Sequence, residues 1–135
     1  MKPPVTLLAI FLSAASFAHP CPDRLETHQT LKKQIIGWEP FFDPNALQLL
    51  ESVDFYDGPP KQMAQLVPDN SDSKNDPSWT FAPREGQKAA DIWQVCRYTN
   101  TKVSLERRLP PGTKKCSITY SKTVTPHVDA IVCTP

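Results

Sequence analysis

The fold class is decided by residues 92–133, IWQVCRYTNTKVSLERRLPPGTKKCSITYSKTVTPHVDAIVC. This stretch contains four short runs rich in β-branched and aromatic residues, separated by turn-forming residues. The runs span residues 92–98, 102–109, 115–122 and 128–133. We therefore predict four consecutive strands, arranged as a small antiparallel sheet or a barrel-like meander.

The details of these runs support strands. Val103 and Leu105 alternate with polar and charged neighbours, which is typical of a half-buried strand. Asn100 tolerates the positive φ of a hairpin turn, and the Pro-Pro-Gly sequence at 110–112 predicts a tight reversal.

The rest of the chain has weaker signals. Further strands are predicted at 25–31, 51–56 and 79–81, a polar loop at 68–78 and a helical turn at 62–66. Asp43 and Pro44 resemble an N-cap and a first-turn proline, and predict a short helix over 45–51. Because the chain has 15 prolines, long helices are disfavoured. We expect a mainly β protein, or a β-rich α+β one, with at most one or two short helices.

The N-terminus has the three parts of a secretory signal. Lys2 precedes an apolar run at 5–12 and small residues at 13–16, and cleavage is predicted after Ala18. The run is shorter than the roughly 20 residues of a membrane anchor. Acylation at Cys21 is disfavoured because Pro20 stands where a small residue is needed. Residues 19–135 are then expected to form a single exported domain, without membrane insertion.

Four cysteines are present: Cys21, Cys96, Cys116 and Cys133. An even number in an exported chain predicts two disulfides, with three possible pairings. The predicted hairpin places Cys116 opposite Cys133, so we prefer that pair and leave Cys21 with Cys96. No C-x-x-C pair occurs and the histidines have no metal-ligand spacing, so neither a metal nor a cofactor is expected.

Charge gives one candidate surface. The mature chain is balanced overall, so neither nucleic acid nor an anionic membrane is expected as a partner. Residues 35–91 are acidic and 92–135 are basic, and these regions could also attract each other. The candidate binding patch consists of Lys102, Arg107, Arg108, Lys114 and Lys115. A merely solvated sheet face is the alternative.

Catalytic signals are sparse. No G-x-S-x-G nucleophile elbow occurs, and His28 and His127 are interpreted as exposed residues near a terminus and a turn in preference to a hydrolase site. The acidic loop that begins at Asp69 lacks the glycine and glutamate of a calcium loop. Exposed tryptophans could stack on sugars, but we expect Trp93 in the core.

Several spaced motifs resemble one known family. They are Cys21-Pro22, Gly37-Trp38, Phe55-Tyr56-Asp57-Gly58-Pro59-Pro60, Leu66-Val67-Pro68, Trp79, Trp93-x-x-Cys96-x-Tyr98, and Leu109-Pro110 leading to Cys116. The chain is similar to an uncharacterised group of small exported proteins of Gram-negative bacteria, known only by a locus-tag name. The resemblance implies a periplasmic setting and brings no activity or ligand.

Together these features predict a non-enzymatic periplasmic domain that binds another envelope or periplasmic protein, as an inhibitor or an immunity-like factor. A small envelope hydrolase using His28 or His127 is one alternative. A glycan-binding or structural envelope protein is another, favoured if Trp38 or Trp79 is exposed beside polar groups. The oligomeric state is left open by the sequence.

Overall fold

A computed structural model describes residues 17–18, 20–70, 76–83, 86 and 89–135. These residues contain eight strands and one 3₁₀ turn at Pro60–Gln62, and no α-helix. The strands are β1 (Phe17–Ala18), β2 (Arg24–Leu25), β3 (Gln48–Asp57), β4 (Ser78–Thr80), β5 (Ile92–Tyr98), β6 (Ser104–Arg108), β7 (Lys115–Tyr120) and β8 (Val128–Thr134). The predicted mainly β class is confirmed.

The strands form two four-stranded antiparallel sheets, with the orders β1-β8-β7-β4 and β2-β3-β5-β6. All four strands predicted after Asp91 are present, as β5 to β8, but they divide between the sheets in pairs. Leu109 is buried at the end of β6, and the Thr113 N–H donates to the Pro110 carbonyl in the turn that follows. Because prolines cannot donate to a β-ladder, Pro110 and Pro111 end the pairing of the first sheet. The chain then passes through this turn to β7 in the second sheet.

The two sheets share one core. Phe55 on β3 is fully buried, and its ring centroid lies 4.9 Å from that of Trp79 and 5.4 Å from that of Phe81. Ile118 on β7 is also fully buried in the same cluster. Burying such a side chain contributes about 1.5 to 3 kcal/mol, so these contacts hold the sheets together.

Two disulfides cross-link the chain, and their pairing is the one preferred from the sequence. Cys116 and Cys133 are register partners on β7 and β8, with a Cα–Cα distance of 4.1 Å. The Cys21–Cys96 disulfide ties the segment before β2 to β5. All four cysteines are buried, so both bonds lie within the core. Disulfides of this kind are typical of an oxidising compartment.

The helix predicted over 45–51 is wrong. The Asp43 carboxylate accepts a hydrogen bond from the Asn45 N–H at 2.8 Å, but this closes only a turn, and β3 begins at Gln48. Leu49 pairs with Arg24 on β2, so the sheet takes residues that a local cap signal assigned to a helix.

Other boundaries also shift. The strand predicted at 25–31 is limited to Arg24–Leu25, and the single helical turn lies at Pro60–Gln62 rather than at 62–66. The loop predicted at 68–78 ends as β4 begins at Ser78, and its residues 71–75 lie outside the described residues. Residues 1–16 of the predicted signal peptide also lie outside them, whereas Phe17 and Ala18 pair with β8.

Candidate functional site

The strand order places the residues of the predicted basic patch in two sheets. Lys102, Arg107 and Arg108 lie in or beside β6, and Lys114 and Lys115 lie at the start of β7. Arg107 and Arg108 are consecutive strand residues, so their side chains leave opposite faces. Arg108 also forms an ion pair with Asp91. The structure thus places the first three residues on one hairpin, with Arg107 and Arg108 on opposite faces. Lys114 and Lys115 lie apart from them, at the start of a strand in the other sheet.

The two histidines considered for a hydrolase lie in separate turns. His28 is exposed beyond β2. His127 lies just before β8, where its Nδ1 is 3.3 Å from Asp129 Oδ1. His127 is therefore placed beside a carboxylate of β8, whereas nucleophilic catalysis needs a hydroxyl or thiol beside the imidazole.

The tryptophans are not distributed as expected. Trp79 is in the core, and its indole N–H donates to the Leu66 carbonyl at 3.2 Å. Trp93, expected in the core, is half-buried, because it pairs with Arg108 and Tyr56 on the outward face of its sheet. Trp38 is 72% exposed and belongs to neither sheet.

A polar network covers part of that outward face. The Arg97 guanidinium donates to Asp54 at 2.5 Å and to the Tyr56 hydroxyl at 2.8 Å. The hydrogen bond to Asp54 raises the pKa of Arg97, while partial burial acts in the opposite direction. Burial and the negative charge of Asp54 raise the pKa of Tyr120. With its charges paired in this way, the network joins β3 to β5 and is suited to a structural role.

A long segment between β2 and β3 forms an unusual surface. Every residue from 28 to 47 is exposed, and none belongs to a strand or helix. We call this segment the apolar loop. It presents seven large apolar side chains: Leu31, Ile35, Ile36, Trp38, Phe41, Phe42 and Leu47. Ile36 is 99% exposed and Phe41 is 85% exposed. Clustered exposure of this kind marks interaction sites, and loops of such length are usually functional when ordered.

Both ends of the apolar loop are clamped to the turn between β5 and β6. The Gln29 side-chain amide donates to the Asn100 carbonyl at 2.8 Å. At the other end, the Leu47 carbonyl accepts bonds from Asn100 Nδ2 at 2.9 Å and Thr99 Oγ1 at 3.0 Å. Asn100 has the positive φ of 56° that a hairpin turn requires. The predicted turn therefore also positions the loop.

A groove of about 640 Å³ lies at the base of the apolar loop. Leu25, Phe41 and Phe42 supply apolar walls, and His28, Glu26 and Arg24 supply charged groups. A groove with this mixture can hold an apolar side chain and orient it through polar contacts at its margin.

Sequence reasoning missed this surface, although a signal was present. Residues 31–42 are rich in large apolar side chains but show neither the two-residue period of a strand nor the period of a helix. Gly37 and Pro40 interrupt the segment. An apolar stretch without periodicity cannot present one face to a core, and exposure is the consequence.

Metal binding and membrane crossing are two further possibilities for the described parts of the chain. No group of three or more His, Cys, Asp or Glu residues there is arranged to hold a metal ion. Among the same residues, no helix has the length and apolar character to cross a bilayer.

Comparison with known proteins identifies the family. The model of the Type VI secretion system Tli immunity protein family matches residues 44–134, which include β3 to β8. No curated protein and no solved structure shows significant similarity to the chain. The matched family is bacterial, and the match fits the predicted non-enzymatic, immunity-like protein binding. Because the matched range covers more than half of its residues, the chain belongs to the Tli immunity protein family of type VI secretion systems.

Proposed function

We propose that the mature protein is a periplasmic immunity protein that neutralises a type VI effector by binding it through the apolar loop. The observation that carries this proposal is that the apolar loop is exposed throughout, while the sheets that hold it are cross-linked by two disulfides. Trp38 and Phe41 are large side chains that water surrounds in the free protein. Covering one such side chain contributes about 1.5 to 3 kcal/mol, and tryptophan is enriched among residues that dominate binding energy.

The extent of the family match supports a role in specificity. The match begins at residue 44, so it leaves out most of the apolar loop. An immunity protein must distinguish its own effector from others, and the surface that does so has to differ between family members. Most of the apolar loop lies outside residues 44–134, whereas the strands β3 to β8 that support it lie inside them. The loop is therefore suited to be the part that differs between family members.

The proposed location follows from the disulfides and the N-terminus. Cys21–Cys96 and Cys116–Cys133 require an oxidising compartment to form and persist. Residues 1–18 have the pattern of a cleavable signal peptide. We infer that a signal peptidase removes them and that a single domain, residues 19–135, folds in the periplasm.

A membrane surface is the alternative binding partner of the apolar loop, because aromatic side chains also enter lipid interfaces. Glu39 and Asp43 flank Phe41 and Phe42. Carboxylates beside the aromatic side chains oppose insertion into an anionic bilayer, whereas an effector cleft can pair with them. Lys32 and Lys33 balance these two carboxylates, so the apolar loop has no excess of positive charge to attract it to an anionic membrane. The absence of a basic cluster therefore favours a protein partner.

The first experiment tests protection and binding together. Bacteria that produce the full-length chain are exposed to a competitor armed with a type VI system, and survival is compared with that of cells producing residues 19–135 in the cytoplasm. We expect protection only from the exported form. Effectors secreted by the competitor are purified and tested for a stable complex with the mature protein by size-exclusion chromatography. Absence of both protection and a complex would refute the proposal.

A matched pair of variants locates the binding surface. Trp38→Ser with Phe41→Ser removes two exposed side chains of the apolar loop, and we expect about 100-fold weaker effector binding or more. Met63→Ser with Val67→Ser is the control, because these side chains are 81% and 80% exposed but lie outside the loop. Equal losses in both variants would contradict the assignment to the loop. Binding of the mature protein to lipid vesicles without effector would favour the membrane instead.

We also propose that the basic residues on the β6 hairpin assist association. Lys102 and Arg107 lie in or beside this exposed strand. Charges at the rim of an interface mainly change the association rate and its salt dependence. Lys102→Glu is expected to slow association with an acidic effector at low salt, with Lys122→Glu in the β7–β8 turn as the control.

A further inference from the structure

The two ends of the β1-β8-β7-β4 sheet differ in how they are closed. β8 pairs with β7 along most of its length, but on its other side it pairs with β1 at only two positions. Those positions are Phe17 opposite Cys133 and Ala18 opposite Val132. Both residues of β1 belong to the predicted signal peptide. Cleavage after Ala18 would therefore remove β1 and make β8 the end strand of the mature sheet.

The register shows which backbone groups of β8 face away from β7, toward the edge on which β1 pairs with Cys133. Cys116 and Cys133 lie opposite each other with Cα atoms 4.1 Å apart, which is the spacing of a pair that does not exchange hydrogen bonds. The Ile118 N–H likewise donates to Pro77 on the far side of β7, not to β8. In an antiparallel ladder the backbone groups of their partners, Ile131 and Cys133, consequently point away from β7. These groups can accept another strand.

An apolar groove of about 290 Å³ runs beside this edge. Leu50, Val128 and Ile131 contribute apolar walls. Asp23 and Asp129 also line the groove, so it combines apolar contacts with negative charge. A segment that adds to β8 can therefore place an apolar side chain in the groove and a basic side chain near a carboxylate.

The other sheet ends in a strand of different character. All residues of β6, sequence SLERR, are exposed, and charged side chains dominate it. Charged edge strands resist the addition of a further strand. β8 carries Ala130, Ile131 and Val132 in succession and has no lysine or arginine. A second copy of β8 would add another Asp129 carboxylate to the edge and no lysine or arginine to pair with it. Pairing between two copies is therefore disfavoured relative to pairing with a segment that carries basic residues.

We propose that signal-peptide removal opens the β8 edge and that this edge binds an extended segment of the effector, with apolar and basic side chains, by antiparallel strand addition. This inference rests on the proposed immunity function. The apolar loop and the β8 edge are then two separate contacts with one effector. A chain that keeps Phe17 and Ala18 covers the edge with its own residues.

The test uses the effector identified by the protection experiment and three forms of the protein. The first is residues 19–135. The second begins at Phe17 and retains both residues of β1. The third is the mature chain with Asp23→Lys and Asp129→Lys, for which Glu51→Lys with Glu106→Lys is the charge-matched control. We expect about tenfold weaker effector binding for the second and third forms, and unchanged binding for the control.

Hydrogen exchange supplies a direct measurement of the edge. In the mature protein the amides of Ile131 and Cys133 are expected to exchange rapidly when free and slowly in the effector complex. An intact complex in which both amides remain unprotected, and whose affinity the retained residues do not change, would overturn the inference while leaving the immunity function in place. Loss of any effector complex would instead overturn the proposed function. Protection of the edge by a concentration-dependent dimer without effector would identify a second copy as the occupant and overturn the inference.

Discussion

The two disulfide-linked sheets and the apolar loop are both rich in large apolar residues. The sheets bury these side chains, whereas the loop exposes them. Phe55 in β3 is 0% exposed, whereas Phe41 in the loop is 85% exposed. In the sheets, alternate residues face a common core and the backbone groups pair between strands. In the loop, no period directs the side chains to one side. Apolar composition alone therefore does not determine burial; backbone pairing decides which apolar side chains can reach the core.

Removal of the disulfides is expected to have the largest effect on this contrast. The bonds close sequence separations of 75 and 17 residues. In the chain-entropy model they contribute about 4.5 and about 3 kcal/mol, which is comparable to the whole stability of a small domain. We expect reductant to unfold the sheets or to lower the melting temperature strongly, measured by circular dichroism. An unchanged melting temperature after verified reduction would contradict the stapled core.

A pair of phenylalanine substitutions compares the two regions directly. Phe55→Ala removes a buried ring that contacts Trp79 and Phe81, and is expected to reduce the free energy of unfolding by about 3 to 5 kcal/mol. Phe41→Ala is expected to change it by less than about 0.5 kcal/mol, because an exposed side chain loses no packing. Urea unfolding measures both values. A large loss for Phe41→Ala would mean that the loop belongs to the folding core.

The clamp at Asn100 connects the two regions and gives an intermediate prediction. Asn100→Ala removes the hydrogen bond that the side-chain amide donates to the Leu47 carbonyl, and it places alanine at positive φ, with an expected loss of about 1 to 2 kcal/mol. Asn100→Gly removes the same bond but tolerates the φ, so it isolates the clamp. Both variants should increase tryptic cleavage after Lys32 and Lys33 in the loop. Equal cleavage in all three proteins would show that the clamp does not hold the loop.

The smallest expected effect concerns a buried hydroxyl in β5. The Tyr98 hydroxyl is buried and has no hydrogen-bond partner among the described residues. Burial, and secondarily the charge of Asp23, raise its pKa above the ordinary 10.0. Below pH 10 both folded and unfolded chains keep the proton, so no effect is expected there. Above pH 10 the unfolded chain loses it first, and the free energy of unfolding falls as pH rises.

Tyr98→Phe removes this ionisation. The variant is expected to be as stable as the parent at pH 7 and to lose less stability between pH 10 and pH 11, measured by urea unfolding at each pH. Because Tyr120 has a raised pKa as well, Tyr120→Phe serves as the comparison on β7. A parallel decline in parent and Tyr98→Phe would place the alkaline sensitivity elsewhere.

Much of the sheet architecture was predictable from local patterns. The strands after Asp91 follow from β-branched runs between turn residues, and Asn100 has the positive φ predicted for its turn. The disulfide pairing followed from one hairpin, because Cys116 and Cys133 lie opposite in it. The helix at 45–51 failed because Asp43 and Pro44 report only local preference, while β2 and β5 provide strand partners for Leu49 and Leu50.

The candidate site was less accessible to such reasoning. Basic residues were chosen because they cluster in the sequence, but strand order separates Lys102 and Arg107 from Lys114 and Lys115. The apolar loop was missed because exposure depends on what the rest of the chain covers. The family match independently confirms the immunity-like class that the sequence predicted without any catalytic motif.

The sequence by itself determined the β class and the number of disulfides, because both depend on residue types and short spacings. It predicted immunity-like binding as one of three alternatives, and the family match selected it. Tertiary structure alone decided that β5 and β6 separate from β7 and β8, that Trp79 rather than Trp93 fills the core, and that residues 28–47 remain uncovered. The reason is that strand partners and burial arise from contacts between residues far apart in the chain. A local pattern specifies which face a side chain takes, but only the assembled sheets determine what lies against that face.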